Sequence, residues 1–296
     1  MRCLSLAVCL LIVQSQAVSE QIGRRNTGGG VNLYSLAREV TLGRQLAREV
    51  EREVHLVEDP VVTEYVNRIG QNLARNSEAR FLFTVKIIRS DEVNAFALPG
   101  GFVFVTTGLV RAIDNEAELA SALSHEIAHV AARHYTNQAS WEQIVGFAGI
   151  PLVFIGGWPG LAIQRGVEVA TPLAFRKHSR MAEAQADQLG LQYLYRTGYD
   201  PVAFIDFFER LAQQQRRQPG PFARLLALHP GLESRIRAAQ KQIQNDLAPR
   251  PRYMIQSSEF QAVKERLAAI ERGSPVPWRY RRSEADDDRP VLRRRD

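Results

Sequence analysis

Two histidines four residues apart, with a glutamate directly after the first, constrain this chain more than any other feature. His125 and His129 occur in the run His125–Glu126–Ile127–Ala128–His129. On a helix both imidazoles project from one face, at the separation that a single Zn²⁺ requires. Glu126 lies beside that pair, where its carboxylate can take a proton from a water molecule without ligating the metal. The motif predicts a helix that carries a zinc site, with Glu126 as general base.

A third ligand is needed to complete such a site. His134 lies five residues after His129, about 140° further round a continuous helix, so we interpret it as a polar residue near the helix end. Glu183 and Asp187 are four residues apart on a helix predicted over 179–196 and share one face. Glu183 could therefore ligate the metal. Asp187 could accept the second N–H of a ligating histidine and hold that ring in place.

Apolar residues at spacings of three and four predict helices on both sides of the motif. Asn115 is expected to cap the motif helix, with Glu118 reaching back, and that helix is expected to run to about Tyr135. Gly198 ends a later helix, and Asp200 caps the next one. The other predicted helices span residues 33–56, 60–74, 179–196, 232–245 and 259–272.

Two short segments rich in β-branched and aromatic residues, 81–88 and 101–106, are predicted strands, and the turn-rich segment 94–100 separates them. Two strands beside so many helices predict a small sheet in an α+β domain. Gly100 and Gly101 remove side-chain bulk just before the second strand. An open sheet edge there could pair with an extended polypeptide through main-chain hydrogen bonds. An ordinary turn is the alternative interpretation of these two glycines.

The N-terminal residues, 1–17, have the pattern of a secretory signal peptide. One positive charge precedes the mostly apolar run 3–13, and small residues at Ser15 and Ala17 favour cleavage after Ala17. Both cysteines, Cys3 and Cys9, lie in this segment. The mature protein is therefore expected to be exported and to contain no disulfide or thiol ligand.

The rest of the chain is divided by composition. We expect a flexible N-terminal segment at 18–33, one folded domain at 34–272 and a disordered charged tail at 273–296. The segment 143–164 has no charge but contains five glycines and two prolines, which argues against a continuous transmembrane helix. We interpret it as a lid over the site, with contact to a membrane surface as the alternative.

The charge of the chain argues against a nucleic-acid partner. Hydrophobic residues make up 45% of the sequence and charged residues 24%, as in a folded globular protein. The formal net charge is +6, and the tail contributes +2 of it through seven arginines and five acids. Since no basic stripe is interleaved with aromatic residues, binding to nucleic acid is not expected.

The motifs resemble, in order and spacing, those of the CaaX-prenyl-protease-type family of zinc endopeptidases, in its soluble exported bacterial branch. The segments that carry the resemblance are Asn94–Gly101, His125–His129, Ser179–Asp187 and Leu228–Pro230. The resemblance covers about residues 34–272. The transmembrane helices of the membrane-bound branches are not expected here, and neither are prenylated substrates.

This resemblance implies a fold and a site. The implied fold is α+β, a mostly helical zincin-like (gluzincin) domain with a small sheet. An edge strand of that sheet would bind substrate, and in this sequence it would be the strand that follows Gly101, residues 102–106. One zinc ion per chain is implied as cofactor, with His125, His129 and Glu183 as its ligands. Glu126 would be the catalytic base, and Asp187 would support a ligand. The residues implied to bind substrate are Asn94, Ala95, Phe96, Gly100 and Gly101.

The resemblance also places His229 facing the metal. A neutral imidazole could fill the fourth zinc position as a latch that excludes water, whereas a protonated one could stabilise the developing oxyanion. A solvated loop histidine is the remaining alternative. The latch is the preferred interpretation.

We therefore interpret the chain as a periplasmic zinc endopeptidase with polypeptide substrates. The resemblance implies misfolded or misassembled envelope proteins as those substrates. One alternative is a chaperone-like factor that holds polypeptide in the same cleft without cutting it. Another is a membrane-associated binding module with a structural zinc. The sequence leaves open the oligomeric state and any peripheral contact with a membrane or with envelope assembly machinery.

Overall fold

The structure is a computed structural model that describes residue 27 and the ranges 32–145, 174–217, 229, 231–273 and 291–294. The helices in this part of the chain are α1 (Leu36–Glu53), α2 (Pro60–Arg75), α3 (Thr107–Ala112), α4 (Glu116–Ala131), α5 (His134–Val145), α6 (Ala174–Thr197), α7 (Val202–Arg217), α8 (Leu232–Asp246) and α9 (Phe260–Glu271). The strands are β1 (Thr84–Ile88), β2 (Ala95–Leu98), β3 (Phe102–Thr106), β4 (Arg252–Gln256) and β5 (Val291–Arg294). The mostly helical α+β fold class is confirmed.

The motif helix α4 forms the centre of the molecule. Every one of its residues is buried, and it is contacted by α2, α6, α7 and the strands β2 and β3. Its start is as predicted, because the Asn115 side chain accepts a hydrogen bond from the Glu118 N–H at 3.1 Å. A helix surrounded by protein on all sides holds the motif rigidly.

The end of α4 differs from the prediction. The helix ends at Ala131 instead of Tyr135, because Arg133 adopts a left-handed conformation with φ 57°. That conformation is costly for a residue with a side chain. The buried Glu39 carboxylate accepts a hydrogen bond from Arg133 Nε at 2.8 Å, and the carbonyl of Tyr34 accepts another from the guanidinium. These contacts hold the break, and α5 begins immediately after it.

The main sheet has the strand order β1–β3–β2. Strands β1 and β3 pair in parallel, whereas β2 and β3 pair antiparallel. The prediction that residues 102–106 form the edge strand was therefore wrong, since β3 is central. Strand β2 lies within 94–100, the segment predicted as a turn. Its four apolar residues are all buried, so they show no polar alternation that would identify a strand.

The two faces of the sheet pack differently. Ala95 and Ala97 of β2 belong to the large core cluster that includes α4. Phe96 and Leu98 belong to a smaller cluster with residues of α1, and Phe96 stacks on Phe104 at 5.2 Å between ring centroids. Strand β2 therefore turns its small residues toward the motif helix.

The glycines that precede β3 form a tight turn. Both have positive φ, 78° at Gly100 and 99° at Gly101. A Cβ at Gly100 would lie 2.6 Å from Val40 Cα, and one at Gly101 would lie 2.4 Å from the Leu82 carbonyl oxygen. Close packing against α1 and against the loop before β1 accounts for both glycines, as the turn alternative expects.

Both ends of the predicted domain carry more structure than composition indicates. In the segment expected to be flexible, Thr27 Oγ1 donates to the Ala131 carbonyl at 3.1 Å, and Asn32 Nδ2 donates to Thr136 Oγ1 at 2.9 Å. In the tail expected to be disordered, β5 pairs antiparallel with β4. These interactions come from partners distant in sequence, which local composition does not reveal.

Within the described ranges, no helix combines the length and the apolarity needed to cross a bilayer. The predicted signal peptide, 1–17, lies outside the described residues. The predicted lid, 143–164, lies outside them too, except for the last residues of α5.

Candidate metal centre

Four side chains from three parts of the chain converge on one point. Helix α4 supplies His125 and His129, α6 supplies Glu183, and His229 lies just ahead of α8. One ligand atom from each residue lies within 4.8 Å of all the others, and all four residues are buried. The structure thus brings together the four residues that the sequence analysis named as ligands or as a possible fourth ligand.

The spacing of the ligand atoms fits a tetrahedral zinc ion. Nε2 of His125 lies 3.1 Å from Nε2 of His129, and each lies 3.3 Å from a Glu183 carboxylate oxygen. Nδ1 of His229 lies 3.2 Å from His125 Nε2 and 2.9 Å from Glu183 Oε2. Zinc bonds of 2.0–2.1 Å in a tetrahedron set neighbouring ligand atoms about 3.3 Å apart. Three imidazoles and a carboxylate are also donors that zinc prefers.

Glu126 lies beside this cluster without being part of it. Its carboxyl is buried, and His229 Nε2 lies 3.6 Å from its Oε1. Its Oε2 has no hydrogen-bond partner among the residues that the structure describes. Burial raises the pKa of Glu126. A carboxylate with a raised pKa and an unpaired oxygen is suited to accept a proton from a water molecule at the centre.

Asp187 contacts the outer nitrogen of His125. Its Oδ1 lies 3.0 Å from His125 Nδ1. Burial would raise the pKa of Asp187, but hydrogen bonds from Arg235 outweigh burial and hold it below the usual value. Asp187 is therefore an ionised acceptor that can fix the orientation of the His125 ring.

Arg235 of α8 was missed in the sequence. Its guanidinium donates two hydrogen bonds of 2.6 Å to Asp187, and its Nη1 lies 3.1 Å from Glu183 Oε2. It also lies over the ring of Phe208 at 4.5 Å. The available signal was its place on the buried stripe of α8, where Arg235 and Ala239 share a face. A charged residue on an apolar stripe indicates a buried partner.

His134 occupies a different place from the predicted one. Because the chain breaks at Arg133, His134 turns back toward the site, and its Nδ1 lies 3.0 Å from Nδ1 of His129. Its Nε2 lies 3.0 Å from Oε1 of Gln185 on α6. The expected rotation of 140° away from His129 assumed a continuous helix.

The residues predicted to bind substrate separate into two groups. Ala95 borders a small apolar cavity that reaches His125 and Glu126; its other lining residues are Leu109, Ala122, Phe207, Phe208, Leu211, His229 and Arg235. Asn94, directly before β2, is buried. Phe96 lies on the opposite face of the sheet, and Gly100 and Gly101 pack against α1 and Leu82.

The fold and this cluster fit the class of zinc metallopeptidases in which a distal glutamate joins two motif histidines. A family model described as peptidase family M48 matches residues 60–243. The chain belongs to that family. The predictions of the family, of the enzyme class and of zinc as the cofactor are confirmed, and the family implies polypeptide substrates.

Named relatives agree with this assignment. The chain is 32% identical over 253 residues to the beta-barrel assembly-enhancing protease of Escherichia coli K12, covering 82% of this chain and 51% of that protein. It is 34% identical over 233 residues to the protein of the same name from Yersinia pestis, covering 76% and 47%. It is 28% identical over 195 residues to the bovine mitochondrial metalloendopeptidase OMA1, covering 62% and 34%. The chain thus spans about half the length of these two bacterial relatives.

Proposed function

We propose that this protein is an exported, periplasmic zinc endopeptidase that hydrolyses peptide bonds in misfolded or misassembled envelope proteins. The observation that carries the proposal is the unpartnered carboxylate oxygen of Glu126 beside a buried cluster of four ligand-type residues. A purely structural zinc site has no need of such a carboxylate. The name of the bacterial relatives, assembly-enhancing proteases, supports the proposed substrate class.

In this proposal His125, His129 and Glu183 hold one zinc ion per chain. When bound, zinc polarises the scissile carbonyl and lowers the pKa of the attacking water. Glu126 takes the proton from that water and then delivers it to the leaving amine. Asp187 keeps the His125 ring in its ligating orientation.

The edge strand β2 is the proposed substrate-binding strand. Thr106 N–H donates to the Asn94 carbonyl at 3.0 Å, so alternation along an antiparallel pair turns the main-chain groups of Ala95 and Ala97 away from β3. Ala95 of this strand and Glu126 line the same small cavity. A peptide paired to this edge would therefore lie against the proposed base.

The substitution Glu126→Gln tests the hydrolytic step. An amide of the same shape cannot accept the proton, so we expect zinc content to be kept while cleavage of an unfolded protein falls by about 10²–10⁴-fold. Glu64→Gln, at an exposed position, is the matched control and should cleave normally. Zinc content is measured by metal analysis and cleavage by gel densitometry. Turnover near that of the wild type would contradict the role of Glu126 and favour a site that only holds polypeptide.

His229 is proposed to be a latch that occupies the fourth position around zinc. The 2.9 Å distance from its Nδ1 to Glu183 Oε2 supports this role over that of a solvated loop residue. His229→Ala should then open the site and raise the rate of peptide cleavage. If His229 instead stabilises the oxyanion, turnover should fall by about 10²–10³-fold. An unchanged rate would contradict both roles.

A further inference from the structure

The outer nitrogens of the two motif histidines have different partners. His125 faces the carboxylate of Asp187 at 3.0 Å. His129 faces His134, whose ring lies edge-on to it with the centroids 4.9 Å apart. We propose that His134 and Gln185 are positioning residues that select the ligating tautomer of His129. This inference rests on the proposed function, in which His129 ligates zinc through Nε2.

Hydrogen-bond contacts run from the main-chain carbonyl of Thr27 through Gln185 and His134 to His129. The Thr27 carbonyl fixes the direction of each hydrogen bond in this chain of contacts. The carbonyl oxygen of Thr27 only accepts, so the group of Gln185 that lies 3.2 Å from it is the amide NH₂. The amide oxygen of Gln185 then faces His134 Nε2 at 3.0 Å. Since that oxygen only accepts, His134 carries its proton on Nε2.

The proton position on His134 in turn fixes the proton position on His129. In a neutral His134 with a proton on Nε2, Nδ1 is an acceptor. It lies 3.0 Å from Nδ1 of His129, which must therefore carry the proton of that ring. Nε2 of His129 is left with its lone pair, and this is the atom that points at the other ligand atoms of the cluster. With His134 neutral, His134 and Gln185 thus transmit a preference from a main-chain carbonyl to the proposed ligand His129.

Several features of the fold build this chain of contacts. The left-handed Arg133 directs His134 back over His129. Gln185 lies two residues after Glu183 on α6, so one helix supplies both a proposed ligand and the support of another ligand. Thr27 is buried and is held by its own hydrogen bond to the carbonyl of Ala131, at the end of α4. Each member is thereby fixed by an element that also forms the site.

A neutral relay has an electrostatic advantage at this position. Glu126 and Glu183 already bring two buried carboxyls to the cluster, and Asp187 lies behind it. A further carboxylate behind His129 would add a like charge in a region of low dielectric, which is unfavourable. His134 orients the ring without adding that charge.

Zinc affinity of the full chain, measured by competition with a chromophoric chelator, tests the inference. We expect His134→Phe and Gln185→Leu each to weaken zinc binding by about 10–100-fold, as other partners behind metal ligands do. His134→Asn places a carbonyl oxygen near the position of Nδ1 and should restore most of the affinity. The double variant His134→Phe/Gln185→Leu should bind no more weakly than the weaker single variant, because both changes break one chain of contacts.

Two further measurements separate positioning from folding. Thermal unfolding in the presence of a chelator should give His134→Phe and His134→Asn the same midpoint. In ¹⁵N–¹H spectra of the zinc-loaded protein, the Nδ1–H signal of His129 should shift in His134→Phe and stay close to wild type in His134→Asn. His55→Phe, at an exposed position, is the control and should change neither the zinc affinity nor the Nδ1–H signal of His129.

Three results would overturn the inference: wild-type affinity in His134→Phe, no recovery in His134→Asn, or proton placement on Nε2 of His129 in the zinc-free protein. A wild-type protein that binds no zinc would instead overturn the proposed function, so the two failures are distinguishable.

Discussion

Asp59 illustrates how one side chain can stabilise the fold in two separable ways. Its Oδ1 accepts a hydrogen bond from Val62 N–H at 3.2 Å and so caps α2. Its two oxygens also accept hydrogen bonds of 2.7 Å from Arg266 on α9. These bonds from Arg266 lower the pKa of Asp59. One carboxylate therefore joins two helices distant in sequence.

Substitutions at Asp59 should separate the cap from the ion pair. Asp59→Asn retains a capping oxygen, so we expect a loss of about 0.5–1 kcal/mol at pH 7 from the ion pair alone. Asp59→Ala should lose about 1 kcal/mol more, because the cap is then missing too. Urea denaturation measures both. Equal stabilities of Asp59→Asn and Asp59→Ala would contradict the capping role.

The stability advantage of the wild type over Asp59→Asn should also depend on pH. Because the pKa of Asp59 is lower in the folded state, its ionised form stabilises the protein above the unfolded pKa of about 3.9. That contribution is lost as the pH falls through the lower, folded-state pKa. The difference between the two proteins should therefore be full at pH 7, remain full at pH 5 and shrink below pH 4. A difference that grows on acidification would contradict the assignment.

Residue type and spacing predicted much of the candidate site. The i, i+4 pairs His125–His129 and Glu183–Asp187 each identify one helical face, and the structure brings the two faces together. Arg235 and His134 were not predicted as contacts. The position of Arg235 depends on how α8 docks, and that of His134 depends on a left-handed residue that no local pattern announces.

At the scale of elements, the turn between β2 and β3 shows how crowding adds to the requirement for glycine. Gly101 and Gly198 have nearly equal φ values, 99° and 98°. A Cβ at Gly101 would lie 2.4 Å from the Leu82 carbonyl oxygen, whereas a Cβ at Gly198 would meet nothing within 4 Å. At both positions the positive φ would strain an alanine. Only at Gly101 would the added Cβ also collide with a neighbouring atom.

Alanine substitutions at these glycines form a matched pair. Gly198→Ala should destabilise the protein by about 1–2 kcal/mol, the cost of a left-handed residue with a side chain. Gly101→Ala should cost about 1–3 kcal/mol more, because the chain must also move away from Leu82. Chemical denaturation of the two variants measures the difference. Equal losses would show that the loop before β1 yields without cost.

Strand β2 shows the limit of prediction for elements. Helix α4 begins at a cap that the sequence identifies, Asn115. Strand β2 has only four residues, and both of its faces are covered, so hydrophobic alternation is absent. Because β2 was not predicted, the substrate-binding edge was assigned to β3 from the sequence. The segment Asn94–Gly101, which contains β2, was nevertheless among the segments predicted to bind substrate.

At the scale of the whole molecule, the candidate metal centre brings together side chains from parts of the fold that are distant in sequence. The ligand-type residues come from α4, from α6 and from the residue before α8. A metal that binds all of them should stabilise the folded state, since the unfolded chain does not hold them together.

Metal removal should therefore lower the melting temperature. At a free zinc concentration about 1,000 times Kd, binding contributes about 4 kcal/mol, which corresponds to about 8–16 °C for a domain of this size. Calorimetry with and without a chelator measures the shift. Glu126→Gln should show the same shift, whereas His129→Ala should show much less. An equal shift in His129→Ala would contradict its role as a ligand.

The distribution of these residues along the chain also sets the time at which the protein becomes able to cut. His125 and Glu183 are 58 residues apart, and His229 follows 46 residues later. During synthesis the motif helix is therefore complete long before Glu183 and His229 exist, so an incomplete chain has no assembled centre. All three proposed zinc ligands are present only after residue 183 has emerged, so zinc retention by ribosome-stalled chains should not rise before that point. Under the proposed function, a newly made chain would therefore be unable to cut until most of it has been synthesised.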